Sequence, residues 1–544
     1  MSARSIVSSA KLVALCTLVS RVTGLLRDIL LARAFGVGWV QDAFSAAFLV
    51  PNLFRRLFGE GALTAAFVPT FTRVLAHQGR PAAWALFARA LTLMTSALVV
   101  LTLLGELLVG ALWLMLPAGH PYVLPLALTA VMLPFMVSIC LLALVASLLN
   151  CLGSFVVPAL ASVVLNIVMI AGIVWAAPWF GGDDPARQVF GVAWSVVAAG
   201  LLQLAFVYPA MRARGVPLGW RFETHDPVVR EMLARIVPVM LGQGVLMLST
   251  FLDSLICVLL TRIDSHPHLS LLGLRLAYPL EEGALAAVTF AQRLYQFPLG
   301  VLVISLATVA LPAFSRLAAQ SDWNGWAAQV RAMIRLAVFE GLLAGSMLVV
   351  LAVPITRLLF EYGRFDQAAT QRSAYVAMFY GFGLCAFCAQ HIVLRGFYSL
   401  HDVRTPVWIS CAILPLNLLL TLLLIWLPSV REAALAISSS VTSSAAVLIG
   451  IALLSRRQSE ALLDADTLLA LARMLLAAIL AATAVYGLRA ASLPLLEDVP
   501  GVLPRRLLDA LGWLCVGSGV YVAAAWLLRL PEAAALLRER RPRT

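Results

Sequence analysis

Four arginines lie within stretches of the sequence that are otherwise apolar enough to cross a membrane. These stretches are S-R-V-T-G-L-L-R-D, P-N-L-F-R-R-L-F-G-E-G and A-Q-R-L-Y-Q-F-P-L-G, and the arginines are Arg21, Arg27, Arg55 and Arg293. An arginine at the centre of a spanning helix disfavours insertion by about 2.5–3.5 kcal/mol, so such residues usually face protein or a wet cavity and serve a function. Guanidinium groups bind phosphate through paired hydrogen bonds, which are stronger at low dielectric. The pattern predicts a cationic chamber suited to a diphosphate.

Asp28 is the acid nearest to the first two of these arginines. It follows Arg21 by seven residues, which places both side chains on one helix face. We therefore expect Arg21 and Asp28 to neutralise each other in part, while Arg27 projects elsewhere. The alternative for Arg27 and Arg33 is that their side chains extend to the membrane interface and carry no function.

The segment around Arg55 predicts a bent or broken helix. Pro51 and two glycines that flank Glu60 interrupt the span, which begins near Asp42. Broken backbone at membrane depth is tolerated mainly where it lines a cavity. Arg56 and Glu60 have the spacing of an intrahelical pair. We therefore expect Arg55 to be the substrate ligand and Arg56 to be structural.

Asp253 stands alone in another apolar segment. A single acid at that depth is protonated, paired or a ligand for a coupling cation. We expect the cation role, with Na⁺ and H⁺ both open and with Asn417 as a second ligand.

Motifs for covalent chemistry are absent from the sequence. There is no G-x-x-x-x-G-K-[ST] for ATP and no H-E-x-x-H for zinc. Cys385 and Cys388 form a C-x-x-C without nearby His or Cys partners, so buried thiols are expected rather than a metal site or a disulfide. The sequence predicts a transporter rather than an enzyme, with no catalytic residue, cofactor or bound metal, driven by an ion gradient, membrane voltage or the substrate's own gradient.

The elements that must position these residues are membrane helices. The chain has 544 residues, of which 62% are hydrophobic and 12% are charged, a balance that water-soluble domains do not show. Apolar stretches of roughly 20 residues recur between short polar connections. We predict an all-α membrane protein with about fourteen spans, near 11–36, 43–72, 84–116, 122–150, 156–180, 188–211, 232–262, 284–314, 328–353, 372–400, 405–427, 432–455, 467–489 and 507–529.

The net charge of +12 is interpreted as an indication of membrane topology rather than of nucleic-acid binding. An even number of spans places both termini on one side, and the basic tail Arg538–Arg543 predicts that this side is cytoplasmic. Arginines of the connection 212–235 agree, whereas the predicted outer segment Arg357–Arg372 carries three arginines and does not. We expect a bacterial inner-membrane protein. The preference for arginine over lysine suits phosphate binding, but genomic base composition explains it equally well.

An internal repeat predicts two lobes. Ala66–Arg73 reads A-F-V-P-T-F-T-R and Val309–Arg316 reads V-A-L-P-A-F-S-R, and Asn150–Pro158 has a similar counterpart in Tyr398–Pro406. Repeated lobes are common in secondary transporters; chance similarity between apolar segments is the alternative. We predict pseudo-symmetric six-helix lobes in residues 1–215 and 216–458, with two further helices and a basic tail in 459–544.

The quoted motifs, together with Q-D-A-F and L-F-E-Y-G-R-F-D, resemble those of the MurJ (MviN) lipid II flippases in the multidrug/oligosaccharidyl-lipid/polysaccharide exporter superfamily. The resemblance covers nearly the whole chain. It implies fourteen helices, a central cationic cavity and a groove beside spans 13 and 14 for a polyprenyl tail. It also implies that all four arginines are essential for substrate binding and that three acids are functional, namely Asp28, Asp42 and Glu60.

The implied substrate is lipid II, an undecaprenyl-diphosphate-linked peptidoglycan precursor that moves from the inner to the outer leaflet. A carrier needs to shield only its polar headgroup, while the tail stays in lipid. The alternative is a relative that exports another polyprenyl-linked oligosaccharide. A drug exporter is expected to carry acids in its cavity, and a polyprenyl-phosphate enzyme to carry catalytic acids or histidines at a membrane face. Membrane lipids and the cell-wall synthesis machinery are the expected partners of a monomer.

Overall fold

The computed structural model describes residues 3–57, 63–117, 119–217, 219–222, 230–232, 234, 248–262, 268–271, 274–458, 461–497 and 499–533. These residues are almost entirely helical, as the apolar composition predicts. The chain divides into two compact units, Met1–Ala286 and Ala287–Thr544, called unit 1 and unit 2 below. The finer division into lobes at 1–215, 216–458 and 459–544 stays a prediction.

Unit 1 is a bundle around a core of phenylalanines, in which the rings of Phe67 and Phe71 stack with centroids 5.2 Å apart. The long connection Thr261–Glu282 contains a short antiparallel hairpin of β1 (His268–Leu271) and β2 (Leu274–Ala277). The helices are α1 (Ala3–Phe35), α2 (Trp39–Leu57), α3 (Leu63–Met115), α4 (Val123–Met132), α5 (Phe135–Cys151), α6 (Val156–Ala171), α7 (Ala177–Gly181), α8 (Pro185–Arg212), α9 (Leu248–Leu259) and the start of α10 (Ala284–Pro298).

Unit 2 begins within α10 and has its own apolar core. The fully buried Trp326 anchors it, and its indole Nε1 donates to Ser399 Oγ at 3.0 Å. The remaining helices are α11 (Ile304–Ala319), α12 (Trp323–Phe360), α13 (Gln367–Ser399), α14 (Arg404–Leu424), α15 (Ala433–Gln458), α16 (Ala465–Glu497), α17 (Val502–Leu507) and α18 (Trp513–Leu527).

The helix α3 is two helices joined by a kink at Gly79. The backbone there has φ +80°, a conformation that glycine adopts without the steric cost of a side chain. This break falls between the predicted spans 43–72 and 84–116. Short π-helical segments widen the backbone at 172–176, 299–303 and 508–512.

Equivalent turns in the two units support the internal repeat. The turn between α5 and α6 has Gly153 at φ +75°, and the turn between α13 and α14 has His401 at φ +57°. The amides of Ser154 and Asp402 close the turns by donating to Leu149 O and Phe397 O. Each residue of the first turn is separated from its equivalent in the second turn by the same number of positions in the sequence. The repeat predicted from the sequence therefore extends to the backbone conformation of these turns.

The Asp402 turn is also held by charge. Its carboxylate accepts from the Arg404 and Thr405 amides at 3.0 Å and forms an ion pair with Arg457. Burial raises the pKa of this carboxyl, but the hydrogen bonds from Thr405 and Arg404 and the nearby Arg457 charge outweigh burial, and its pKa lies below its usual range. The first residues of α14 are therefore capped by an ionised side chain.

Among the described residues, ten helices are long and apolar enough to cross a membrane. Large apolar side chains on their outer faces are exposed, for example Leu107 at 70% and Leu114 at 78%. Such a surface requires a lipid solvent, because a soluble protein rarely exposes large contiguous apolar patches. The chain is therefore a multi-pass membrane protein. Every predicted span overlaps a described helix, while the exact number of fourteen stays a prediction.

Candidate functional site

The first predicted site residues meet where α1 packs against α6. Arg27 donates from Nε and Nη2 to Asp28 Oδ1 at 3.0 and 2.7 Å, and from Nη1 to Asn166 Oδ1 at 3.1 Å. The side chains of Arg27 and Asp28 are only 13% and 10% exposed. The cost of placing both charges in this apolar setting is offset by their mutual attraction and by these hydrogen bonds.

The predicted pairing of Arg21 with Asp28 is wrong. Arg27 forms the ion pair with Asp28 instead, because its long side chain folds back toward this next residue of the same helix. Arg21 is half-buried and makes no hydrogen bond or ion pair with the residues that the structure describes, and Arg33 is exposed. Of the two arginines in the motif, Arg21 is the one whose guanidinium donors are not used by any residue that the structure describes.

Helix α2 presents Arg55 and Arg56 at its C-terminal end. Both side chains are half-buried, and Arg55 Nε donates to Asn52 Oδ1 at 3.0 Å. The helix continues through Pro51 from Trp39 to Leu57, so the predicted break does not occur at this proline. The two glycines that flank Glu60 lie outside the described residues. Glu60 lies outside the described residues, so the predicted pair with Arg56 and the role of Glu60 in binding stay predictions.

Asp42 joins two helices of unit 1. Its side chain is 1% exposed, and its two carboxylate oxygens accept from the amides of Gly283 and Ala286, each at 2.7 Å. These amides belong to the first turn of α10, where the helix dipole favours negative charge. The contact gives Asp42 a structural role as a helix cap; its predicted contact with substrate stays untested.

Arg293 lies on α10 within unit 2 and is half-buried. Its Nη1 donates to Gln296 Oε1 at 3.4 Å. Tyr295 of the same helix packs against Tyr380 of α13, with ring centroids 4.6 Å apart. Because the four predicted arginines are divided between the two units, their convergence on one cavity stays a prediction.

The residues predicted to bind a cation also lie in different units. Asp253 on α9 is 8% exposed in unit 1. Asn417 on α14 is 2% exposed in unit 2, where its Oδ1 accepts from Thr442 Oγ1 at 3.2 Å. No group of three or more His, Cys, Asp or Glu side chains suited to a metal occurs within the described ranges. The predictions of a coupling cation and of no bound metal both stay open.

Glu361, in the motif L-F-E-Y-G-R-F-D, is the centre of an ion-pair cluster that the sequence did not reveal. It bonds Arg506 at 2.8 Å, Thr370 Oγ1 at 2.8 Å and Arg357 at 3.3 Å, and the Arg506 guanidinium lies over the Tyr362 ring. The cluster attaches α17 to the turn between α12 and α13. Its members come from distant parts of the sequence, so only the polar character of the motif could have indicated it.

Glu340 is a further acid that sequence reasoning missed. It lies in the middle of α12, and its buried Oε2 has no hydrogen-bond partner among the residues that the structure describes. An ionisable residue within a spanning helix is a candidate functional residue. The same rule that selected Asp253 from the sequence would have selected Glu340.

The fold matches known transporters along most of its length. A lipid II flippase MurJ in an inward closed conformation aligns with a TM-score of 0.71 and 18% identity, over 97% of this chain and 100% of that chain. An inward-facing multidrug resistance MATE family transporter of the MOP superfamily aligns with a TM-score of 0.66 and 14% identity, over 81% of this chain and 94% of that chain. At these identities the likeness establishes the fold alone, which this chain shares with both of these membrane transporters.

Sequence similarity identifies the family. The family model described as lipid II flippase MurJ matches residues 31–497. A probable lipid II flippase MurJ of Rhizobium meliloti is 31% identical, over 94% of this chain and 91% of the relative. The lipid II flippase MurJ of Burkholderia cenocepacia is 32% identical, over 78% and 79%. The chain belongs to the lipid II flippase MurJ family, a family of transporters rather than enzymes.

Proposed function

We propose that this protein moves lipid II from the inner to the outer leaflet of the bacterial inner membrane by alternating access. The observation that carries the proposal is the presence of half-buried arginines on apolar helices, within the sequence motifs that resemble those of the family. They are Arg21, Arg27, Arg55 and Arg293. The names of the sequence relatives support lipid II over another polyprenyl-linked oligosaccharide.

The arginines suit the diphosphate of this substrate. A guanidinium remains charged at every physiological pH and donates several hydrogen bonds in a fixed plane. Arg27 is partly neutralised by Asp28, whereas Arg21 keeps its donors available with respect to the described residues of unit 1. We therefore assign the first contact with the diphosphate to Arg21 and Arg55, and a second contact to Arg27.

The polyprenyl tail stays in lipid beside the two terminal helices of unit 2. Helix α16 is held to the segment before α18 by the paired hydrogen bonds of Arg489 with Asp509, at 2.7 and 3.0 Å. Helix α18 is held to α12 because Tyr521 OH donates to Phe339 O at 3.0 Å. Exposed apolar side chains on α16, including Leu475 and Ile479, offer a surface for an isoprenoid chain.

Membrane voltage or an ion gradient drives the cycle. Outward movement of an anion follows the electrical gradient, worth about 2.3 kcal/mol per charge per 100 mV if the full field is crossed. The empty arginine site is positive, so the same voltage returns it inward. Asp253 is the candidate ligand for a coupling Na⁺ or H⁺. Both termini are cytoplasmic, the protein acts as a monomer, and cell-wall synthesis enzymes are its candidate partners.

Replacing Arg55 tests the anion site. We expect Arg55→Gln to abolish complementation of a bacterial strain depleted of its own lipid II flippase, and Arg55→Lys to restore growth incompletely, because lysine keeps the charge but loses the planar fork. Membrane insertion should be normal in both variants, and the exposed Arg33→Gln is the matched control. Full growth with Arg55→Gln would contradict the proposed site.

A further inference from the structure

Asn166 is a buried amide of α6 that contacts α1 at three points. Its Nδ2 donates to Ser20 O at 3.0 Å and to Thr23 Oγ1 at 3.1 Å, and its Oδ1 accepts from Arg27 Nη1 at 3.1 Å. The Ser20 carbonyl can only accept, so it fixes which end of the amide faces it. The oxygen is thereby directed to Arg27. With the residue only 5% exposed, the amide has one orientation.

The geometry of Arg27 follows from these contacts. Three of its five N–H groups are used, two by Asp28 Oδ1 and one by Asn166 Oδ1, while Nη1 makes a long contact with Met169 Sδ at 3.9 Å. The guanidinium plane is thus fixed between acceptors on α1 and α6. Within the described part of the chain, Nη2 keeps one N–H for a ligand.

We propose that Asn166 is a positioning residue for the diphosphate, acting through Arg27. Asp28 holds Arg27 with a negative charge that competes with an incoming phosphate, whereas Asn166 holds the same group without cancelling its charge. When the diphosphate displaces Asp28, Asn166 keeps the guanidinium plane in place. A neutral amide is needed at this position, because a carboxylate would reduce the attraction for an anion. The inference rests on the proposed function.

A double-mutant cycle tests the proposal. Binding of farnesyl diphosphate to the full-length protein in lipid nanodiscs is measured for Asn166→Ala, Arg27→Gln and the double variant. We expect each single change to weaken binding on the order of tenfold, the usual effect of losing a hydrogen bond to a charged group. The double variant should be no weaker than Arg27→Gln alone, because Asn166 acts only through Arg27. Independent, multiplying losses would overturn the proposal.

A second variant and a control separate positioning from packing. Asn166→Asp keeps the size of the side chain but replaces the Nδ2 donor with a charged oxygen, so we expect weaker binding in a protein that still folds and inserts; unchanged binding would contradict the requirement for a neutral group. Gln203 is a matched control, since it is 2% exposed and its Nε2 donates to Ala161 O of α6 at 2.8 Å. Gln203→Ala should have the same effect on binding with or without Arg27→Gln. If Arg27→Gln itself leaves binding unchanged, the proposed arginine site also fails.

Discussion

Acidic residues that lie in similar apolar stretches of the sequence have different partners in this protein. Asp28 forms an ion pair with Arg27, whereas the two carboxylate oxygens of Asp42 accept from backbone amides of α10. A carboxylate is stabilised in either environment, by opposite charge or by the positive end of a helix. The sequence predicted that these acids matter, but their partners depend on packing between helices. Asn166 lies 139 residues from Arg27 in the chain, so no local spacing could connect them.

Replacement of Asp253 tests the cation prediction. We expect Asp253→Asn to change the dependence of flipping on Na⁺ or pH before it changes binding of farnesyl diphosphate, because the amide is similar in size but has no charge. Flipping should be measured across Na⁺ concentrations at fixed pH and across pH at fixed Na⁺. Asp184→Asn is the control, since Asp184 caps α8 at the protein surface. A wild-type ion dependence in Asp253→Asn would leave this residue a structural acid.

At the scale of helices, the sequence predicted the spans well because hydropathy depends on the lipid solvent rather than on tertiary partners. Spans 11 and 12 were predicted at 405–427 and 432–455, and α14 and α15 occupy Arg404–Leu424 and Ala433–Gln458. The π-helical segments were not predicted, because they arise from packing. At one of them, a side chain on Gly172 would overlap Ser195 of α8. The hairpin before α10 was not predicted either, because its segment shows no clear periodic pattern of apolar residues.

The contact of Asp42 with α10 can be separated from a contact with substrate. Asn keeps only one of the two oxygens that accept from α10 and turns a donor toward the other amide, whereas Ala removes the cap altogether at a cost of about 0.5–2 kcal/mol. If Asp42 is structural, thermal stability and complementation should fall together in Asp42→Asn and in Asp42→Ala. Thermal unfolding in detergent and growth of the depleted strain measure the two effects. Loss of growth in a stable Asp42→Asn protein would instead indicate that the substrate requires the charge.

At the scale of the whole molecule, the arginines on apolar helices and the apolar outer surface suit a carrier for a substrate with a charged head and a lipid tail. The sequence predicted this class from charge at membrane depth, and family similarity over residues 31–497 confirms it. The predicted chamber requires residues from both units, so its assembly depends on contacts that hydropathy and motifs do not encode. The identity of the coupling ion depends on how a few oxygen atoms are arranged around it. That arrangement also depends on contacts between helices, so the sequence could not predict it.

Voltage dependence is a property of the complete cycle. An anionic cargo moving outward and a positive empty site moving inward both follow a potential that is negative inside, so flipping should slow when an uncoupler collapses the potential while ATP is maintained. Flipping in intact cells, with depolarisation verified by a voltage-sensitive dye, measures this effect. If flipping continues unchanged, voltage is not the driving force, although the substrate assignment is unaffected.

The leaflet distribution of lipid II tests the central claim most directly. In a bacterial strain depleted of its own flippase and expressing this protein, lipid II accessible to an impermeant probe at the outer surface is measured. We predict that the wild-type protein restores outer-leaflet lipid II, whereas a membrane-inserted Arg55→Gln variant leaves the precursor in the inner leaflet. Lipid II that stays in the inner leaflet despite correctly inserted wild-type protein would contradict the account.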